Sequence, residues 1–121
     1  MKHHTIDQNT DEWHALRNGI PTASRASDLV SSGDILSKSL PRYAEELAMN
    51  LYAGKSLSSF AGNRSTERGH ELEPVAAKWY AFERDTDPQE CGFFTDELQR
   101  YGASPDRLLG EDGLLEIKCQ E

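Results

Sequence analysis

The feature that most constrains this chain is a change in the spacing of its apolar residues near Pro88. Before Pro88, apolar side chains recur every three or four residues, which is the spacing of amphipathic helices. After it, apolar and polar residues alternate, which is the spacing of strands that bury one face. Helices followed by a small sheet predict an α+β fold. The length of 121 residues suits one domain.

Four helices are predicted in the first part of the chain. They cover about residues 11–18, 24–30, 41–53 and 68–83. In the second, Thr22 or Ser24 is the expected N-cap, and 26, 29 and 30 are the expected buried positions. In the fourth, the apolar stripe runs through 72, 75, 76 and 79, and Pro74 indicates either a helix start nearby or a kink. Trp13 of the first helix is expected in the core.

Three strands are predicted after Pro88. They are Cys91–Thr95, Tyr101–Leu109 and Leu114–Cys119. The segment Gly110–Gly113, with glycine at both ends, predicts a hairpin between the last two strands. Along the last strand, the odd-numbered residues from Leu115 to Cys119 are expected to face the core. The even-numbered ones share the opposite face.

Asp106, Glu116 and Lys118 form the group with the clearest chemical meaning. Glu116 and Lys118 share one face of the last predicted strand, and Asp106 lies across the hairpin, where Pro105 bends the chain. Two neighbouring carboxylates suit Mg²⁺, which prefers oxygen ligands and completes its shell with water and phosphate. Lys118 could then orient a metal-bound water or stabilise charge on phosphate. The alternative is an ordinary ion pair on a solvated sheet face.

Composition narrows the class of protein. The net charge of −8 argues against a protein that binds DNA through a basic surface, although clustered carboxylates that hold cations reverse the local sign. Two cysteines are too few for a disulfide framework and favour a reducing, cytoplasmic setting. No apolar run is long enough to cross a membrane, so no membrane association is expected.

Three sequence motifs follow one another along most of the chain. They are EWHALRNGIPTAS at 12–24, GHELEPVA at 69–76, and the series SPD, GEDG and LEIKC between 104 and 119. In this order they resemble the lambda-exonuclease family (YqaJ-type viral recombinases), which belongs to the PD-(D/E)xK nuclease superfamily. The resemblance implies a restriction-endonuclease-like core: amino-terminal helices, then a small mixed sheet with the active-site hairpin at the carboxy end. It also implies that residues 1–121 are the amino-terminal part of a single, truncated exonuclease domain.

The resemblance assigns metal ligands and a catalytic lysine. Asp106 and Glu116 would bind the metal directly, the backbone carbonyl of Ile117 would be a further ligand, and Lys118 would be the catalytic lysine. Glu73 of the second motif would complete the site, with Glu71 as the alternative if the helical register differs. The implied cofactor is Mg²⁺, with Mn²⁺ as a substitute, and two ions are expected.

The first motif and one residue of the third would bind the 5′-terminal phosphate of DNA. The implied phosphate-binding residues are Arg17, Thr22, Ser24 and Ser104. A phosphate is well placed where a guanidinium meets hydroxyls at a helix start. The alternative is that Ser24 is a plain N-cap and Arg17 a surface charge.

By resemblance, the activity is Mg²⁺-dependent hydrolysis of one strand of duplex DNA, 5′→3′, from a 5′-phosphorylated end. Phage-type recombination in a bacterial cytoplasm is the implied setting, with a single-strand-annealing protein as partner and a ring-shaped homotrimer as assembly. Two alternatives stay open. One is a catalytically inactive protein that binds DNA ends, and the other is an endonuclease on the same core.

Overall fold

A computed structural model describes residues 1–33, 35–57 and 64–119 of the chain. The fold is α+β, as predicted. The helices are α1 (Asp11–Arg17), α2 (Leu40–Ala53) and α3 (Arg64–Arg84), with a 3₁₀ segment at Ala23–Asp28. The strands are β1 (Lys2–His4), β2 (Val30–Ser31), β3 (Ile35–Leu36), β4 (Phe93–Thr95), β5 (Gly102–Ala103), β6 (Arg107–Leu109) and β7 (Gly113–Leu115).

The chain divides into two compact units. The first consists of residues 1–59 and 92–104, and the second of residues 60–91 and 105–121. A single exonuclease domain over 1–121 stays a prediction. Within the described ranges, no helix is both long enough and apolar enough to cross a membrane.

The first unit is built around a three-stranded antiparallel sheet in the order β1-β4-β5. Its centre is Phe93, whose side chain is fully buried. Gly102 lies beside this ring, and a Cβ atom at Gly102 would stand 2.3 Å from the Phe93 ring. The backbone of β5 also pairs with Thr22, through a hydrogen bond from the Gly102 N–H to the Pro21 carbonyl of 3.0 Å. This pairing holds the segment before the 3₁₀ turn against the sheet.

The predicted first and third helices are confirmed. Thr10 is the N-cap of α1, and its Oγ1 accepts the backbone N–H of Trp13 at 3.3 Å. Trp13 is buried, as expected. Pro41 lies in the first turn of α2, and Gly54 ends the helix with a φ of +71°, which glycine adopts without strain.

The predicted helix at 24–30 is wrong. A 3₁₀ segment occupies Ala23–Asp28, and Val30 begins a short antiparallel pair, β2 with β3. Leu29 is half-buried, while Ala26 and Val30 are exposed. Gly33, with a φ of +78°, lies between the two strands and lets the chain reverse there. The antiparallel pairing of β2 with β3 therefore decides the structure of this segment, although its apolar residues have helical spacing.

In the second unit, the predicted fourth helix is present as α3, and Pro74 lies inside it. Of the two alternatives for Pro74, the helix start is therefore wrong. The predicted apolar stripe of α3 is largely uncovered: Val75 and Trp79 are 61% and 64% exposed. The buried side of the helix is instead centred on Ala77, with Glu73 half-buried. This places a carboxylate on the packed face of α3.

The predicted hairpin is present as β6 and β7, paired from Arg107 with Leu115 to Leu109 with Gly113. Gly110 has a φ of +62° in the turn. The predicted strand 101–109 is divided into β5 and β6 at Ser104-Pro105-Asp106, where the proline interrupts it. The last strand ends at Leu115, earlier than predicted. Cys119, expected on the core face, is exposed.

Candidate functional site

In the first unit, three of the predicted phosphate-binding residues line one cavity of about 320 Å³. We call it the anion cavity; its lining includes Arg17, Thr22, Ser24, Tyr43 and Asn50. The Thr22 and Ser24 hydroxyl oxygens lie 3.1 Å apart, so one donates to the other. The Tyr43 hydroxyl accepts the backbone N–H of Thr22 at 3.4 Å. The fold thus gathers hydroxyls and a guanidinium around one space.

Arg17 is the cation of this cavity. It is half-buried, and burial lowers the pKa of its guanidinium. The guanidinium carbon lies 4.0 Å from the centre of the Trp13 ring and 5.6 Å from that of Phe93. Among the described residues, no carboxylate lies within ion-pair distance of Arg17. A desolvated guanidinium in this setting is a good receptor for an anion.

Ser104, the fourth predicted phosphate ligand, is close to Arg17. Arg17 Nη1 lies 3.5 Å from Ser104 Oγ, and Trp13 Nε1 donates to the same oxygen at 2.9 Å. The structure therefore brings Ser104 to Arg17 through a contact that also involves the buried indole. Their role in binding a phosphate stays a prediction.

Arg25 also lines the anion cavity but has a different electrostatic setting. Its Nη1 and Nη2 atoms donate to the two oxygens of Glu46, each at 3.1 Å, and its Nε donates to Asp28. The hydrogen bonds with Glu46 and then Asp28 raise the pKa of Arg25. Because its charge is already balanced, Arg25 braces the cavity wall, whereas Arg17 is the cation available to a ligand.

In the second unit, Asp106 is the central acid of the hairpin. Its side chain is half-buried, and its Oδ2 accepts the backbone N–H of Ile117 at 2.5 Å. Burial raises the pKa of Asp106, and the nearby charges of Glu116 and Glu73 raise it further, while the Ile117 hydrogen bond and Lys118 oppose the shift. Asp106 thus sits where negative charge is costly unless a cation is near.

Glu116 and Lys118, expected on one face of the last predicted strand, lie beyond the end of β7, and both are exposed. Lys118 Nζ donates to Glu116 Oε1. This hydrogen bond raises the pKa of Lys118, and the charge of Asp106 adds to the effect. The hairpin therefore collects two carboxylates and one ammonium group, and sequence alternation anticipated that grouping.

Glu73 projects from α3 toward β6, where it meets Arg107. Arg107 Nη1 donates to Glu73 Oε1 at 2.6 Å and to the backbone carbonyl of Asp106 at 2.5 Å. The Arg107 side chain is only 10% exposed, and Glu90 lies 3.8 Å away at its outer side. Arg107 therefore links the Glu73 carboxylate of α3 to the backbone of Asp106. The only sequence feature that pointed to Arg107 was its position immediately after Asp106.

The carboxylates are near one another without forming a closed metal cage. Within the described part of the chain, no three acidic, histidine or cysteine side chains converge on one point where an ion could bind. The oxygen donors of Asp106, Glu116 and Ile117 nevertheless suit a hard divalent cation. Glu73 is at present paired with Arg107. The assignment of all four as metal ligands stays a prediction.

Comparison with known proteins agrees with the predicted family. The sequence model of the YqaJ-like viral recombinase domain matches residues 12–121. The structure is similar to that of an alkaline exonuclease (LHK-Exo) from Laribacter hongkongensis, with a TM-score of 0.78 and 36% identity over 93% of this chain. The same exonuclease in complex with dAMP gives a TM-score of 0.79 at 36% identity, again over 93% of this chain. In each case the match covers 54% of the other chain, so this chain spans about half of it. No curated protein sequence matches the chain.

Proposed function

This chain belongs to the YqaJ-like viral recombinase domain family, and from that premise we propose that it is a metal-dependent exonuclease acting on double-stranded DNA. It would hydrolyse phosphodiester bonds of one strand, 5′→3′, starting from a 5′-phosphorylated end. A similar alkaline exonuclease has been crystallised with dAMP, a mononucleotide of the kind such a reaction releases.

One observation supports end recognition most directly. Arg17 is half-buried, faces hydroxyl groups, and has no carboxylate within ion-pair distance among the described residues, whereas Arg25 nearby is paired with Glu46 and Asp28. A terminal phosphate carries about two negative charges and accepts several hydrogen bonds. It would supply the counter-charge that Arg17 lacks. Thr22, Ser24 and Ser104 would donate hydroxyl hydrogens to it.

The hairpin supports metal dependence. Burial raises the pKa of Asp106, and the like charges of Glu116 and Glu73 raise it further. A divalent ion between the carboxylates would remove that repulsion. Asp106, Glu116, the Ile117 carbonyl and Glu73 would hold two Mg²⁺ or Mn²⁺ ions, Glu73 after leaving Arg107. Bound there, the metal would acidify a water molecule and neutralise charge on the phosphate.

Lys118 would act on the reacting groups from the exposed face of the hairpin. Its ammonium group is held near Glu116, and its pKa is raised, so it stays protonated at neutral pH. A fixed positive charge there can orient the attacking water or stabilise the charge that develops on the phosphate. Asp106 would be kept in place by the Ile117 N–H while it binds the metal.

The test is release of mononucleotides from a 5′-phosphorylated duplex labelled at the 3′ end of the digested strand. Wild-type protein with Mg²⁺ should shorten this strand, and EDTA should stop the reaction. Asp106→Asn should reduce the rate by at least a hundred-fold, because it removes one charged metal ligand. Asp112→Asn is the matched control, since Asp112 is an exposed turn residue of the same hairpin. Digestion that survives EDTA or Asp106→Asn would refute the proposal.

A second candidate is a protein that binds DNA ends without turnover. It is favoured by the present pairing of both outer carboxylates with cations, Glu73 with Arg107 and Glu116 with Lys118. Tight binding of 5′-phosphorylated ends with no nucleotide release in Mg²⁺ or Mn²⁺ would support it. Cutting of closed circular DNA, which has no end, would instead indicate an endonuclease on the same core.

The biological setting is proposed on family grounds alone. A single-strand-annealing protein would receive the 3′ overhang, and three copies of the exonuclease would surround the DNA. The bacterial cytoplasm that hosts the phage would be the compartment.

A further inference from the structure

Trp13 touches two proposed phosphate ligands at once. We propose that Trp13 is a positioning residue of the anion cavity, which turns the Ser104 hydroxyl and the Arg17 guanidinium toward a terminal phosphate. This inference rests on the proposed recognition of a 5′-phosphate. It adds a residue that does not itself touch the phosphate but decides how well two others do.

Two neighbouring donors fix the direction of the Ser104 hydroxyl. A serine hydroxyl has one hydrogen to donate and two positions that accept. Trp13 Nε1–H donates to Ser104 Oγ at 2.9 Å, and Arg17 Nη1 approaches the same oxygen at 3.5 Å. Indole and guanidinium nitrogens only donate. Ser104 therefore accepts from both and keeps its own hydrogen for a third group, which must be an acceptor.

A phosphate is such an acceptor, since its ionised oxygens have no hydrogen to give. Without the indole donor, the Ser104 hydroxyl could rotate and donate to another acceptor. Because Trp13 donates to it, the Ser104 hydroxyl, which could otherwise donate or accept, is left to act as a donor toward the ligand. The resulting gain in affinity should be large for DNA ends that carry a 5′-phosphate and small for ends that carry a 5′-hydroxyl.

Trp13 also restricts the plane of the Arg17 guanidinium. The guanidinium carbon lies 4.0 Å from the centre of the Trp13 ring, within the range of a cation–π contact, with the Phe93 ring farther off at 5.6 Å. Stacking restricts the guanidinium to one plane before a ligand arrives. An ordered guanidinium loses less conformational entropy when it binds an anion.

Trp13 is itself held in a fixed position. Its side chain is buried, and its backbone N–H is held by Thr10, whose hydroxyl donates in turn to the Asp7 carbonyl at 2.7 Å. The indole therefore offers its N–H from a constant position.

The test compares binding of two duplexes that differ only in a 5′-phosphate or a 5′-hydroxyl end, measured by fluorescence anisotropy in EDTA. The readout is the ratio of the two dissociation constants. Trp13→Phe keeps an aromatic ring but removes the N–H, and should reduce the ratio about five-fold, the effect of one neutral hydrogen bond. Trp79→Phe is the matched control, because Trp79 is the other tryptophan and is exposed. It should leave the ratio unchanged.

A double-mutant cycle separates positioning from general destabilisation. Ser104→Ala should lower the ratio, and adding Trp13→Phe should lower it no further. Trp13→Phe keeps the ring beside Arg17 and removes only the N–H, which acts through Ser104. If Trp13→Phe proves unfolded by circular dichroism, 3-benzothienylalanine at position 13, which has sulfur in place of the N–H, keeps the ring area. Lower affinity for both ends in equal proportion, or effects of the two substitutions that multiply, would overturn the inference. A wild-type ratio of one would refute phosphate recognition itself, and this inference with it.

Discussion

The pair formed by Arg107 and Glu73 gives the sharpest prediction about stability. The Arg107 side chain is 10% exposed and donates to Glu73 Oε1 at 2.6 Å. Arg107→Ala would leave the Glu73 carboxylate half-buried on the packed face of α3 with its nearest cation gone. It would also remove the donor to the Asp106 carbonyl.

Removing one partner of a fully buried ion pair costs about 3–5 kcal/mol. Glu73 keeps a side-chain exposure of 28%, so water can solvate part of the abandoned carboxylate. We therefore expect a loss of about 2 kcal/mol in the free energy of unfolding. At roughly 5 °C per kcal/mol, this lowers the melting temperature by roughly 10 °C.

The measurement is urea unfolding followed by circular dichroism, in EDTA so that metal binding does not contribute. Arg107→Ala, Glu73→Gln and the double variant form a cycle, and the double variant should lose less than the sum by about 1–2 kcal/mol. Arg100→Ala is the control, since Arg100 pairs with Asp96 while 65% exposed, and should cost much less. Strict additivity of Arg107→Ala and Glu73→Gln would refute the coupling.

Three further outcomes are expected. Arg17→Lys keeps the charge but loses the planar fork, so the preference for 5′-phosphate over 5′-hydroxyl ends should fall about ten-fold by anisotropy; an unchanged preference would exclude Arg17 from recognition. In the folded protein at pH 8, iodoacetamide should modify exposed Cys119 well before Cys91, because burial raises the pKa of the Cys91 thiol and reduces its thiolate fraction. Cys91 should catch up as the pH rises, and equal rates in peptide mass spectra at pH 8 would contradict this. Phe93→Ala empties the centre of the β1-β4-β5 sheet and should cost about 3–5 kcal/mol in urea unfolding; a loss under 1 kcal/mol would show that the core lies elsewhere.

The sequence anticipated elements whose signals are local. Helix α2 has Pro41 at its start and Gly54 at its end, and the hairpin has glycine on both sides of its turn, so each carries its own boundaries. The alternation that predicted exposed positions for Glu116 and Lys118 needed only the period of an extended chain.

Sequence patterns did not predict the elements that depend on contacts between distant residues. The residues around Val30 have helical spacing, yet a turn at Gly33 pairs them with Ile35 and Leu36. The N-terminal strand β1 was not predicted, because its partner, β4, lies about ninety residues away. The same holds for the site: nothing in a linear pattern shows that Trp13 donates to Ser104, or that Arg107 meets Glu73.

Charge pairing removes one objection to the proposed binding of DNA ends by an acidic chain. The net charge of −8 is a sum over the whole surface, but a phosphate responds to the nearest unbalanced cation. Arg25, Arg107 and Lys118 are each balanced by a carboxylate. Arg17, which lies over the Trp13 ring, has no carboxylate within ion-pair distance among the described residues, unlike Arg25 in the same cavity. In the proposed complex, the excess of carboxylates elsewhere would repel the DNA backbone along its length. Favourable contact would then be concentrated at the terminal phosphate, which only an end possesses. The overall affinity for DNA would then be weak, and the preference for a phosphorylated end would be strong. Raising the salt concentration should reduce the difference in affinity between 5′-phosphorylated and 5′-hydroxyl ends. This reduction should be smaller than the loss of DNA affinity that salt causes in a basic DNA-binding protein.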